Sequence, residues 1–171
     1  MSMPGNITIV DARPEDADAV GEVHASAWLA AYAPYFAPDF FAAAVEHRRT
    51  KWHTVLAGGA DTVLLARTDG RAGAYSYFGR SSSRPGLAEI FGFYAHPDLW
   101  GSGIAAALMT ATLARLLDDG FGQVSLWTLR DTAQSRRFYA KNGFIESGRT
   151  QGHDFGDGHP VEQVEYERSL H

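Results

Sequence analysis

A chain of 171 residues, 45% hydrophobic and 20% charged, is sized for one domain with a full core. Its formal net charge of −5 gives no bulk electrostatic support to a nucleic-acid partner, and its lack of cysteine excludes disulfides, thiolate metal sites and a cysteine nucleophile. No apolar run reaches the ~20 residues that cross a bilayer, and the opening MSMPGNITIV lacks the charged start and long apolar middle of a signal peptide, so a cytoplasmic chain without membrane contact is expected.

Residues 7–10 read as a short first strand. Pro14, followed by the acidic Glu15, Asp16 and Asp18, marks a helix start. Ala17, Val20, Val23, Ala27 and Ala31 then recur at helical spacing. A second helix is predicted over 39–56, opened by Pro38 and closed at Gly58-Gly59. Strands at 62–66 and 72–78 flank Asp69-Gly70, a strong hairpin signal. Residues 81–86 form a loop, and 87–95 a longer central strand. The helix predicted over 104–117 is apolar on most faces, hence expected to be buried. A strand at 124–129 follows, then a short helix at 133–142 stopped by Asn142-Gly143, and closing strands at 144–147 and 161–166. The order β α α β β β α β α β β implies a mixed α/β sandwich with one parallel crossover.

The most informative stretch runs from Leu87 to Leu117. A strand ends in His96-Pro97-Asp98, and the bend Gly101-Ser102-Gly103 opens directly into an apolar helix. Two glycines let the backbone aim its N–H groups at one point, and the helix dipole adds positive potential there. That is a phosphate site. Gly101, Gly103 and Ala106 also fit a dinucleotide fingerprint. Context argues against it: five residues, His96 to Trp100, separate the strand from the bend, and the next strand ends in Trp127-Thr128-Leu129-Arg130 without a carboxylate.

With these motifs in place, the chain resembles the GNAT superfamily of N-acetyltransferases over nearly its whole length. The family's acyl-CoA signature, Gln/Arg-x-x-Gly-x-Gly/Ala, is matched by the bend in Trp100-Gly101-Ser102-Gly103-Ile104-Ala105, led in by EIFGFYAHPD. A second signature, Phe-Tyr-x-x-x-Gly-Phe, stands intact from Phe138 to Phe144, and HASAWLAAY (24–32) resembles the family's first helix. The resemblance implies a mostly antiparallel sheet of six to seven strands with helices on both faces and one parallel crossover. It implies acetyl-CoA as co-substrate, with its pyrophosphate on the amides of Gly101, Ser102, Gly103, Ile104 and Ala105. It also implies that the strand ending in Phe93, Tyr94 and Ala95 splays from its parallel neighbour to bond the pantetheine amides and polarise the thioester carbonyl. A family-type homodimer is compatible with it. Two positions depart from the pattern. Trp100 replaces Gln/Arg, which removes a side-chain contact to the pyrophosphate. Thr132 and Ser135 stand where Asn and Ala are frequent, leaving Thr132 a shorter hydroxyl for the pantetheine arm.

Catalytic candidates follow from the chemistry of amine acylation. Glu89 lies on the same side of its strand as Phe93. A carboxylate in an otherwise apolar strand is costly unless useful or paired. It is a candidate general base for the incoming ammonium, the alternative being a carboxylate paired with an arginine. Tyr139, in the second signature, could protonate the leaving thiolate; the alternative is a core tyrosine beside Phe138 and Phe144. Arg136 and Arg137 could reach a 3′-phosphate or form a solvated helix face. Trp28, Tyr32 and Tyr35 are candidates for an aromatic acceptor wall that holds a cation, with core packing the alternative for Trp28.

The seven histidines form no metal-ligand set. His47 and His53 are off one helix face, and His153 and His159 flank Asp154 and Asp157 in a glycine-rich loop that could touch substrate or form a hairpin tip. Ser102 has no nucleophile-elbow context. The chain is thus expected to be an acyltransferase moving an acetyl group from acetyl-CoA to a small-molecule amine, a peptide N-terminus or a lysine. It needs no metal, nucleic acid or membrane. A different acyl-CoA donor, and an acyl-CoA-binding sensor or interaction module without turnover, are the alternatives.

Overall fold

The computed structural model describes residues 6–171, so the first half of the stretch that bears on a leader lies outside the described residues. The elements are β1 (Ile7–Asp11), α1 (Ala17–Ala31), α2 (Pro38–Thr50), α3 (Trp52–Gly58), β2 (Thr62–Thr68), β3 (Arg71–Arg80), β4 (Ala88–Ala95), α4 (Ile104–Asp118), β5 (Gln123–Leu129), α5 (Ala133–Lys141), β6 (Ile145–His153) and β7 (Val161–Ser169). Seven strands form one mixed sheet in the order β1-β2-β3-β4-β5-β7-β6. Its parallel pair is β4 with β5, in register from Ala88↔Val124 to Ile90↔Leu126. No helix among the described residues is long and apolar enough to cross a membrane.

The chain divides into two compact units. One holds the described residues up to Tyr77 together with Gly92–Thr112; the other holds Phe78–Phe91 and Leu113–His171. In the first unit β1 pairs antiparallel with β2, from Ile7↔Thr68 to Asp11↔Leu64. Asp69 (φ 52°) and Gly70 (φ 76°) both sit at positive φ, the primed turn that their sequence announces. Val63, Leu64, Leu65 and Ala66 are buried in succession, as in a strand covered on both faces. The covering is visible at β3, where adjacent side chains point to opposite faces. Tyr75 packs on Trp52 and His24, while Ser76 Oγ meets Thr112 Oγ1 of α4 at 2.8 Å.

Two helical expectations need correction. The helix predicted over 39–56 is two helices, α2 and α3, separated at Lys51. The turn delivers Trp52 into a core of Ala17, Val20, Val23, Val63, Leu65 and Tyr75, where its indole N–H donates to His24 Nδ1 at 3.1 Å. The helix predicted to be buried on most faces, α4, is one-sided. Ile104, Leu108, Met109, Thr112 and Leu116 are buried, whereas Ala106, Thr110, Ala114 and Leu117 are exposed. Alanine and threonine lower its polarity without marking an inner face. At α1, Gly21 is required by close approach: a methyl there would run into the Arg49 carbonyl of α2.

In the second unit β5 and β7 pair antiparallel over seven positions, from Gln123↔Ser169 to Leu129↔Gln163. β6 and β7 form the closing hairpin, both strands longer than the sequence suggests. The His153–His159 loop is its tip, organised by Asp154 Oδ1 accepting from the N–H groups of Gly156 and Gly158. α5 ends as predicted at Asn142-Gly143. Gly143 has φ 87°, and the Phe144 N–H returns to the Tyr139 carbonyl at 3.0 Å.

Candidate active site

The predicted residues fall into two groups. Trp28, Tyr32, Phe93, Tyr94, Ala95, Trp100, Gly101, Ser102, Gly103, Ile104 and Ala105 belong to the first unit; Glu89, Thr132 and Tyr139 belong to the second.

In the first unit the bend is set up from the strand end. The His96 N–H donates to the Gly73 carbonyl at 2.8 Å, and a 3-10 turn over Pro97–Leu99 follows. His96 Nδ1 accepts the Asp98 N–H at 3.2 Å, and Arg71 reaches Asp98 at 2.9 Å. The Arg71 hydrogen bond, with His96 adding to it, holds the Asp98 carboxyl below the usual carboxylate range. Trp100 is 40% exposed, yet its indole N–H donates to the Ala95 carbonyl at 2.9 Å.

Gly101 (φ 79°) and Gly103 (φ 93°) then take conformations that side chains resist, and no atom lies within 4 Å of where their side chains would begin. The Ser102 N–H bonds Leu99 O at 3.1 Å, Ser102 Oγ accepts from Ile104 N–H at 3.3 Å, and the helical ladder begins with Ala107 N–H on Gly103 O at 3.1 Å. The amides of Ala105 and Ala106 therefore have no acceptor inside α4. Open space, glycine backbone and a helix N-terminus coincide here, which is the donor set that a diphosphate takes.

The aromatic residues of the same unit are organised differently from a simple cation wall. Trp28 is 2% exposed; Phe36 stacks on it at 5.5 Å, and the Arg48 guanidinium lies 3.4 Å from its ring centroid. Trp28 Nε1–H donates to the Tyr94 hydroxyl at 3.3 Å, and Tyr32 meets Trp28 edge-on at 4.9 Å and Tyr94 at 6.4 Å. A cation from the protein thus already occupies the indole. Behind them sits His24, 5% exposed, whose pKa falls from 6.5 to about 2 through burial, with the charges of Lys51, Arg48 and His47 adding to the effect.

In the second unit Glu89 is half-buried and accepts a hydrogen bond from Ser81 Oγ at 3.1 Å. Burial pushes its carboxyl up, the Ser81 bond pulls it back, and the Glu165 carboxylate pushes it up further. Arg84 pairs with Glu165 (2.9 Å) and Glu167 (3.1 Å), not with Glu89. Tyr139 is buried, with Phe138, Phe144 and Tyr166 ring centroids 5.6 to 6.2 Å away. Thr132 donates its hydroxyl proton to Leu129 O at 2.8 Å and meets Ser135 Oγ at 2.7 Å, so toward any ligand it is an acceptor. Arg136 donates to the Tyr166 hydroxyl, Arg130 O and Glu146, whereas Arg137 is exposed.

Arg48 was not singled out by motif or spacing. A signal for it existed: its helical neighbours at three and four positions, Ala44, Val45, Lys51 and Trp52, include no acid, whereas Arg49 has Glu46.

Residues 20–144 match the model of the acetyltransferase (GNAT) family. An uncharacterized N-acetyltransferase of Mycobacterium tuberculosis is 33% identical over 135 residues, covering 78% of this chain and 85% of that protein. Among solved structures, the paia N-acetyltransferase of Thermoplasma acidophilum in complex with coenzyme A superimposes with a TM-score of 0.75 at 19% identity, covering 96% of this chain and 99% of that one. The yncA protein of Salmonella typhimurium, solved with its cofactor acetyl-CoA, gives a TM-score of 0.70 at 21% identity, over 96% of this chain and 94% of its own.

Proposed function

Since the chain belongs to the acetyltransferase (GNAT) family, we propose that it transfers an acetyl group from acetyl-CoA to a primary amine by direct attack in a ternary complex. Residues 1–171 act as one acyltransferase domain, working in the cytoplasm. The observation that carries the reading is the bend at Gly101 and Gly103, whose open front and succeeding amides suit a diphosphate. The coenzyme A and acetyl-CoA held by two proteins of the same fold support the identity of that ligand.

In this reading the backbone of Trp100, Gly101, Ser102, Gly103, Ile104 and Ala105 holds the pyrophosphate. Phe93, Tyr94 and Ala95, beyond the three-pair parallel ladder that ends at Ile90, lie along the pantetheine arm and the thioester. Thr132 accepts from a pantetheine amide. Glu89 takes a proton from the substrate ammonium, through water where distance requires it. Its raised pKa makes the ionised carboxylate a stronger base than an ordinary one. The amine nitrogen bonds to the thioester carbon, and the carbon–sulfur bond breaks. Tyr139 gives its phenolic proton to the departing sulfur and regains the second proton that the amine nitrogen sheds, while the first leaves Glu89 for solvent. No covalent acyl-enzyme is needed, and the chain has no cysteine to form one.

Thiol release from acetyl-CoA, measured against a broad amine panel, tests the reading. Amine-dependent release supports it. Tight acetyl-CoA binding by calorimetry without turnover of any amine contradicts it and favours an acyl-CoA sensor.

A further inference from the structure

Arg48 is a half-buried cation with no anion beside it among the described residues. One of its N–H groups donates to the Ala44 carbonyl at 3.0 Å. Its charge lies 3.4 Å from the Trp28 ring centroid. No carboxylate among the described residues pairs with it, although the adjacent Arg49 takes both Glu22 and Glu46. Lys51, one turn on, is also partly buried, with Nζ 5.1 Å from the Trp52 ring centroid and no carboxylate partner among the described residues. Burial lowers the pKa of both, while the phenols of Tyr94, Tyr75 and Tyr32 favour the Arg48 charge. Partly desolvated cations side by side are unfavourable unless something negative joins them. Nothing in the acetyl-transfer chemistry uses them.

The surroundings identify what joins them. Tyr94 is at the end of β4, next to Phe93, and its hydroxyl is hydrogen-bonded to the indole on which Arg48 rests. A guanidinium held over a ring presents its remaining N–H groups outward in one plane, the geometry that matches a carboxylate by two parallel bonds. A polyamine or aminoglycoside would bring further positive charge to Arg48 and Lys51 and be repelled.

We infer that the acceptor amine carries a carboxylate, gripped by Arg48 beside Trp28, Tyr32 and Tyr94, so that the substrate class is small amino acids. The role of the amine rests on the acetyl-transfer reading; the capture of the carboxylate rests on Arg48 and its surroundings.

The test uses the full chain with matched probes: the protein amino acids and the amines left by removing their α-carboxylate. Thiol release should favour the best amino acid over its decarboxylated partner by about 100-fold in kcat/KM. Arg48→Gln should remove most of that preference, and Arg48→Lys should keep a part of it. Independently of turnover, the Arg48 Nε–H NMR signal should shift saturably with amino acid and stay in place with the decarboxylated amine. Decarboxylated amines used within threefold as well as amino acids, or an Arg48 signal that ignores carboxylates, overturns the inference. The matched pairs on the unmodified protein decide the matter even where a variant fails to fold. Absence of any turnover, with the Arg48 signal still responding, overturns acetyl transfer and leaves carboxylate capture standing.

Discussion

The indole N–H of Trp100 donates to the Ala95 carbonyl across 2.9 Å, joining the residue before the glycine bend to the last residue of β4. Where a family-type Gln or Arg would face the cofactor, this chain has a brace between strand end and bend. Trp100→Phe keeps the ring and removes the donor. Loss of one such bond should weaken acetyl-CoA binding by roughly 5- to 10-fold. At saturating acetyl-CoA the turnover should be close to that of the parent protein. Calorimetry and initial rates separate the two.

Tyr139 is enclosed by aromatic rings, so Tyr139→Phe preserves packing and removes one hydroxyl. Turnover should fall by ~10²-fold with acetyl-CoA affinity largely retained. Unchanged turnover would show that the phenol has no part in expelling the thiolate.

For Glu89 the sign of the pH effect separates catalysis from structure. Its carboxyl is raised in the folded protein, mainly by burial. The folded state therefore holds the proton to higher pH than the unfolded chain does. Stability declines as pH rises from the unfolded value through the raised one, and the ionised side chain works against folding above it. Glu89→Gln should accordingly leave the Tm at neutral pH equal or higher, while kcat/KM drops by ~10²-fold. The deficit should be largest between the raised Glu89 pKa, below which the parent's own base is protonated, and the pH at which the amine loses its proton unaided, and should shrink on either side. A uniform loss across pH, accompanied by a lower Tm, would assign Glu89 to structure.

His24 carries an acid-sensitive contribution to stability. Its folded pKa is about 2 against an ordinary 6.5, because it is buried among cations. The unfolded chain takes up a proton as pH falls below 6.5 and the folded protein does not, so unfolding is favoured by up to about 1.4 kcal/mol per pH unit there. His24→Asn supplies an acceptor for the Trp52 N–H without that proton. Chemical denaturation between pH 6.5 and 5 should show the slope in the parent protein and a flatter one in the variant.

What could be read from the chain was local. Asp69-Gly70, Gly101-Ser102-Gly103 and Asn142-Gly143 each fix a backbone conformation through the residues themselves, and all three sit where their chemistry places them. The break at Lys51 was not legible because its cause, the burial of Trp52 against His24, joins residues 28 apart. The one-sidedness of α4 was hidden because alanine serves inner and outer faces alike. The surroundings of Glu89 come from Ser81 and Glu165, and the Trp100 indole looks apolar in a sequence although its N–H decides its place. Arg48 was the costliest omission. That no carboxylate among the described residues pairs with it is a statement about every neighbour in space, and only the absence of an acid at helical spacing hinted at it.

The most direct measurement is a titration of isotope-labelled protein with acetyl-CoA, following backbone amide signals by NMR. The diphosphate should move the amides of Gly101, Gly103, Ala105 and Ala106 most, downfield and saturably. Acetyl-CoA that binds while those four amides stay in place would contradict the account.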